Sequence, residues 1–212
     1  MEVTAIDWLP AADVVMARAK AAAAGDVLLS SDADFRQFRC IGKYADGMTA
    51  AWRHDGAGSY YYVLQSGNAM AVKVCANRLS IGPDALARFQ KSPDVAMPPV
   101  ALRLLTDPEF RYQEMSFLAW TENGAPWQGL LLRVDNMTSL EIAKPLLEPL
   151  LLGPRAYYVN AQSYHEVTVD PTALKALYAL TPMDEALAKS IAPGVNFTNA
   201  RKELEAIGYP MG

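Results

Sequence analysis

The side chains in this chain best suited to acid–base, nucleophilic or metal chemistry are few: two histidines, His54 and His165, and two cysteines, Cys40 and Cys75. A zinc site draws three or four ligands from His, Cys, Asp and Glu at short spacing. The two histidines are far apart in sequence and no HExxH or CxxC pair occurs, so the reading assigns no metal and no cofactor. The run His54-Asp55-Gly56-Ala57-Gly58 contains a Gly-x-Gly, but it lies between two predicted strands. It does not open a helix, as phosphate binding on backbone N–H groups requires. Neighbours on a strand point to opposite faces, so Asp55 is not placed by sequence to orient His54 as a general base. Cys40 and His54 could act as thiol and base only if a cross-strand register joined them. Ser59, Ser66 and Ser163 lack the GxSxG elbow. No catalytic residue is assigned on these grounds.

Recognition chemistry is better represented. Tyr60-Tyr61-Tyr62 follow the turn directly, with Trp52 and Arg53 just before it. Tyr and Trp beside Arg is the composition of energetically dominant interface positions. On a strand Tyr60 and Tyr62 share one face and Tyr61 takes the other, so at least one tyrosine is expected to meet solvent or a cleft. The residues assigned to binding are Trp52, Arg53, His54, Asp55 and Tyr61.

The element that positions them is the stretch from Cys40 to Ala76. It reads as four short strands with turns at Ala45-Asp46-Gly47, at His54 to Gly58 and at Ser66-Gly67-Asn68. Met115 to Thr121 and Trp127 to Arg133 read as a hairpin that extends the sheet. Before the meander, Pro10 to Ala24 predicts a helix with Gly25 as its C′ residue. After it, Gly82-Pro83-Asp84 predicts a short helix and residues 91–99 a proline-rich loop within one domain. Val100 to Leu105 reads as a helical turn. From Ser139 the apolar period becomes helical, with Pro145 and Pro149 expected to kink or fragment the helix. Residues 155–165 are compatible with helix or loop. Asp170-Pro171 and Thr181-Pro182 read as capped helix starts, and Phe197 to Ile207 as a last helix stopped by Gly208. The expectation is one α+β domain over residues 1–212, with a central antiparallel sheet of about six strands (meander plus hairpin), an N-terminal helix and a C-terminal helical cluster.

Composition narrows the function classes. A hydrophobic content of 51% with 20% charged residues is globular composition. The formal charge of -4 comes without a Lys/Arg cluster, which argues against nucleic acid, whose phosphates demand cationic neutralisation. The greasiest run, Leu146 to Leu152, is too short to span a bilayer and is broken by Glu148 and Pro149. The start MEVTAIDWLP lacks the pattern of an export signal, so a cytoplasmic location and two reduced, buried thiols are expected.

The order of features resembles a family of uncharacterised bacterial cytosolic proteins of about this length. The resemblance rests on Trp52 before a Gly-x-Gly turn, an aromatic strand, and Glu114, Phe117 and Trp120 in an E-x-x-F-x-x-W strand. Gly153 with Tyr157, Val169-Asp170, Thr181-Pro182-Met183 and a closing Ile207-Gly208-Tyr209-Pro210 complete it. The chain departs from the family at Ser59, where relatives carry an acidic residue. It departs again at Cys75-Ala76-Asn77-Arg78-Leu79, where they carry Phe-Asp-His-Glu-Ser. The loss of that polar run favours binding over catalysis. Acidic α+β domains of this kind are similar to immunity proteins that neutralise toxins in interbacterial competition, although a likeness of fold does not fix function. The expectation is a non-enzymatic protein that covers the active site of a protein partner, with a basic toxin as the candidate, and that binds neither nucleic acid nor membrane. The alternatives are a small-molecule enzyme with a sheet–helix cleft, using His54 or His165 as base, and a structural or regulatory domain without ligand.

Overall fold

The structure, a computed structural model, describes residues 2–77, 97–111, 114–131, 133–134 and 137–212. The expected helix after Gly82 and most of the proline-rich loop lie outside the described residues. The strands are β1 (Glu2–Ile6), β2 (Phe38–Ile41), β3 (Thr49–His54), β4 (Tyr60–Ser66), β5 (Ala69–Cys75), β6 (Phe117–Glu122), β7 (Trp127–Leu131), β8 (Arg133–Val134) and β9 (Met137–Thr138). The helices are α1 (Ala12–Leu29), α2 (Pro99–Thr106), α3 (Ser139–Leu151), α4 (Pro154–Tyr164), α5 (Pro171–Tyr178), α6 (Glu185–Ile191) and α7 (Phe197–Ile207). Together they make an α+β protein with an open antiparallel sheet in the order β1-β7-β6-β5-β4-β3-β2; β8 and β9 form a separate pair.

The meander and the hairpin both form as the turn residues predict. The seventh strand, β1, was not legible in the sequence. Five residues carry too little periodicity, and their strand conformation is set by pairing with β7 from Glu2↔Leu131 to Ile6↔Trp127.

The chain divides into two compact units. One comprises the segment ending at Ala12 with Trp52–Leu147; the other comprises Asp13–Ala51 with Glu148–Gly212. In the first unit β5 lies between β4 and β6, and its pairs include Tyr60↔Cys75, Tyr62↔Lys73 and Lys73↔Leu118. Helix α2 packs on β4 and β5. All three tyrosines of β4 are therefore buried, Tyr60 at 2%, Tyr61 at 1% and Tyr62 at 4% exposure. The expectation that one of them meets solvent fails because the central strands are covered on both faces. Helix α3 is continuous from Ser139 to Leu151. Each proline removes a backbone donor, but the buried side of the helix carries Ile142, Ala143, Leu147 and Leu150. At about 1.5–3 kcal/mol per large apolar side chain, that burial offsets the lost bonds.

In the second unit α1 runs four residues beyond Gly25 to Leu29, correcting the expected C′ glycine. Gly25 sits mid-helix because a Cβ there would lie 2.4 Å from Oη of Tyr157. It is a contact glycine, and the consecutive buried alanines from Ala21 to Ala24 show that α1 is packed on all sides at this level. Gly25→Ala is expected to destabilise the protein by about 1–3 kcal/mol, because the Tyr157 ring must shift in a filled core. Thermal melting followed at 222 nm checks this; an unchanged Tm would show that the ring can move freely.

Of residues 155–165, left open between helix and loop, all but His165 are helical in α4, and His165 is its C-cap. Asp170 caps α5 by accepting from Thr172 N. Helix α6 begins at Glu185 with Asp184 as its N-cap, three residues later than Thr181 predicts. Met183 is held in a parallel bridge with Met211, donating to Pro210 O and accepting from Gly212 N, and so cannot join the helix. The closing Ile207-Gly208-Tyr209-Pro210 thereby acquires a structural role. Gly208 caps α7 in the left-handed region, and Tyr209 Oη donates toward Leu177 O at 2.8 Å and Thr181 O at 3.2 Å.

Candidate functional site

Both candidate clusters are built around groups that sequence spacing only half revealed. In the first unit, β3 and β4 are joined by a turn held from within. Asp55 Oδ1 accepts from Ala57 N at 2.8 Å and Ser59 N at 2.9 Å, and Asp55 N donates to Ser59 O. Asn77, at the end of β5, braces the turn from outside: its Nδ2 donates to Ala57 O at 2.7 Å and its backbone N–H to Ser59 Oγ at 3.0 Å. A turn fixed by this many bonds is pre-organised, which lowers the ordering cost of any contact it makes.

Beneath the turn, strand alternation sends His54 to one face and Arg53 to the other. The exposed His54 ring stands edge-on to Tyr60 (5.7 Å) and Tyr62 (6.1 Å), with Nε2 3.5 Å from Tyr62 Oη. Half-buried Trp52 has the same parity as His54. Arg53 Nη1 lies 3.4 Å from Leu146 O of α3, so part of that side chain supports the helix. Tyr61 takes the face of β4 opposite Tyr60 and Tyr62, is 1% exposed and reaches no surface. Of the five residues assigned to binding, the structure brings Trp52, His54 and Asp55 together around the turn. It places Arg53 on the opposite face and Tyr61 inside.

Residues that the sequence reading missed complete this face. Tyr60 Oη donates to the Glu114 carboxylate, and Cys75 Sγ donates to Glu114 O at 2.9 Å. The guanidinium of Arg111 lies over the Tyr60 ring, 4.7 Å from its centroid. Lys73, fully buried on β5, donates to Leu104 O (3.1 Å), Phe110 O (2.8 Å) and Arg111 O (2.9 Å). Burial lowers its amine to about 8, with Cys75 and Glu114 opposing the shift. Burial pushes the Cys75 thiol up to about 11 and the Cys40 thiol to about 12, so neither is a ready nucleophile at neutral pH. The signal for Lys73 was present: a single charge in the apolar strand AMAVKVC must find partners on a buried face.

The second unit carries a different cluster. Asp26, on α1 and fully buried, accepts from Phe38 N (2.9 Å) and Tyr157 Oη (2.8 Å) and lies 3.2 Å from Nε2 of His165. The Tyr157 hydroxyl is pushed well above its ordinary range by burial and by the Asp26 carboxylate. His165, assigned as an alternative base, thus meets a carboxylate that sequence separation concealed. His54 and His165 fall in different units, and each has its own surroundings.

Two hollows lie elsewhere. A groove of about 880 Å³ in the second unit is lined by Val27, Leu28, Arg36, Asn199 and Lys202 among others, and a 370 Å³ pocket in the first by Pro98, Trp120 and Gln128 among others. Neither is lined by His54 or His165. Among the described residues no cluster of three or more His, Cys, Asp or Glu side chains could hold a metal ion. No described helix is long and apolar enough to cross a membrane. Comparison with protein-family models, with curated proteins and with solved structures found no match to the chain.

Proposed function

We propose that this protein is a non-enzymatic binding protein, in its most concrete form a cytoplasmic bacterial immunity protein that covers the active site of a toxin. The observation that carries the reading is the turn between β3 and β4. Its backbone is fixed by Asp55, Ser59 and Asn77, and it stands beside exposed His54 and half-buried Trp52. Rigid aromatic and basic groups around a pre-formed turn are suited to a protein surface. The buried groups that could do chemistry in the same unit are engaged internally: Lys73 by three carbonyls, Tyr60 by Glu114 and Cys75 by the Glu114 backbone. The net charge of -4 would steer association with a basic partner.

Capture from the native lysate at moderate salt, run in parallel with Trp52→Ala and Asp55→Lys, tests this. The expected result is one stoichiometric protein retained by the wild type and lost at least tenfold by each variant, with its enzymatic activity blocked at a 1:1 ratio. Equal capture by the variants would remove the turn from the interface, and no specific capture would remove the binding reading.

A second reading has one observation in its favour. The Asp26–His165 contact has the form of a base oriented by a buried carboxylate. It predicts turnover abolished by His165→Ala with the turn left intact, whereas the binding reading predicts capture unaffected by that variant.

A further inference from the structure

Helices α4 and α5, both in the second unit, leave a hollow of about 260 Å³ between them. Four of the residues around it are apolar or aromatic: Pro154 and Tyr158 of α4, and Pro171 and Leu174 of α5. Leu174 is buried, Pro154 and Tyr158 are half-buried, and the Tyr158 hydroxyl already accepts from Gln162 Nε2 at 3.1 Å. The other two are exposed cations, Arg155 and Lys175. Among the described residues neither side chain makes a hydrogen bond, an ion pair or a ring contact. The sequence of the two helices shows why. Neither α4 nor α5 contains Asp or Glu, whereas Lys189 of α6 and Arg201 of α7 each pair with a glutamate four positions away, Glu185 and Glu205. An open apolar hollow forfeits dispersion contacts, and two like charges beside it repel each other. A single occupant with an apolar body and an anionic head relieves both.

From this complementarity we propose that the hollow between α4 and α5 binds a small monocarboxylate with a short apolar stem. The stem displaces water from Pro154, Tyr158, Pro171 and Leu174, and Arg155 and Lys175 receive the carboxylate. The volume lies below the roughly 300–1,000 Å³ of pockets that take drug-sized ligands, so the stem is short. Asp170, the N-cap of α5, adds a negative charge beside Pro171, which favours a singly charged head over a dianion. Nothing in this inference rests on the turn between β3 and β4, so it and the binding reading can fail separately.

The experiment titrates the whole protein with hexanoate, acetate, 1-hexanol and hexyl phosphate at constant ionic strength, following the backbone amides of residues 155–158 and 172–175 by NMR. The expected result is a saturable hexanoate response in both segments, with acetate at least tenfold weaker, a factor that burial of about two methylene groups accounts for. In Arg155→Gln/Lys175→Gln, two exposed changes that should leave the Tm unaltered, hexanoate is expected to bind at least tenfold more weakly and 1-hexanol as in the wild type. Lys175→Gln alone, expected to weaken hexanoate at least threefold, gives the same test with one exposed change. Hexanoate bound no more tightly than 1-hexanol, or equally by the wild type and the variants, overturns the proposal, and so does acetate bound as tightly as hexanoate. Hexyl phosphate bound tenfold more tightly than hexanoate overturns the carboxylate assignment.

Discussion

Asp26→Ala is expected to cost about 3–5 kcal/mol of stability, the largest effect of any single substitution in the second unit. The carboxylate is fully buried and serves Phe38 N, Tyr157 Oη and His165 Nε2. Removing it takes the acceptor from Tyr157 Oη and Phe38 N and the neighbour from His165 Nε2, at about 1–3 kcal/mol for each buried group whose bond is lost, before relaxation. Tyr157→Phe removes one donor and leaves the acceptor in use elsewhere, so about 1 kcal/mol is expected. The double variant should cost less than the sum, because the Tyr157 hydroxyl is no longer orphaned when both are absent. Urea unfolding followed at 222 nm is the suitable probe, since α1, α4, α5, α6 and α7 all lie in that unit from Asp13 onward. An Asp26→Ala loss below 1 kcal/mol would show that the cluster is hydrated and does not hold α1 to β2 and α4.

Lys73→Met is the corresponding change in the first unit, and its effect depends on pH. The substitution leaves the carbonyls of Leu104, Phe110 and Arg111 without their buried donor, but it also removes a desolvated cation. At pH 7 a net loss of about 2 kcal/mol is expected from these opposing contributions. The folded-state amine titrates near 8 against 10.5 for the free side chain. Between those values the unfolded chain binds more protons, so this group makes the wild type more stable as pH rises through the window. Lys73→Met lacks that gain, and the gap between the two proteins should widen by about 3 kcal/mol from pH 7.5 to 10.5. Cys75 acts in the opposite sense in both proteins. Its folded value of about 11 against 9 means that stability present below pH 9 is lost as pH rises toward 11. Because Lys73 holds the Cys75 thiol down, Lys73→Met raises that thiol further, and the difference between the two proteins reports the coupled pair. All four tryptophans lie in the first unit, so fluorescence-detected unfolding reports on it directly. A gap that stays constant with pH would show that Lys73 titrates as a solvated amine.

The turn at the candidate binding face was the most legible part of the site. Asp55, two glycines and Ser59 in five residues specify a tight connection, and the flanking aromatic and β-branched residues specify strands. What could not be read was which side chains would occupy the surface. Tyr61 was assigned to binding from its type and parity, yet it is buried because β4 has β3 and β5 as neighbours and is covered on both faces. Arg111 and Glu114 were invisible as site residues. They lie more than 50 positions from the turn and reach Tyr60 only through the paths of α2 and the loop after it.

The sequence by itself determined the meander, the hairpin, most helix starts and the α+β class, because each depends on local periodicity and on residues that tolerate particular backbone angles. Lys73 and Asp26 did not stand out in it, because a charged residue needs partners only once it is buried. The tertiary structure alone decided that they are buried, which partners they have, and that β1 closes one edge of the sheet. It decided too that Gly25 is a contact point and not a cap, and that Met183 is captured by the C-terminal residues. The physical reason is common to all five. Burial, contact and strand pairing at long range depend on chain segments far apart in sequence, and no local pattern of residue types records which of those segments will meet.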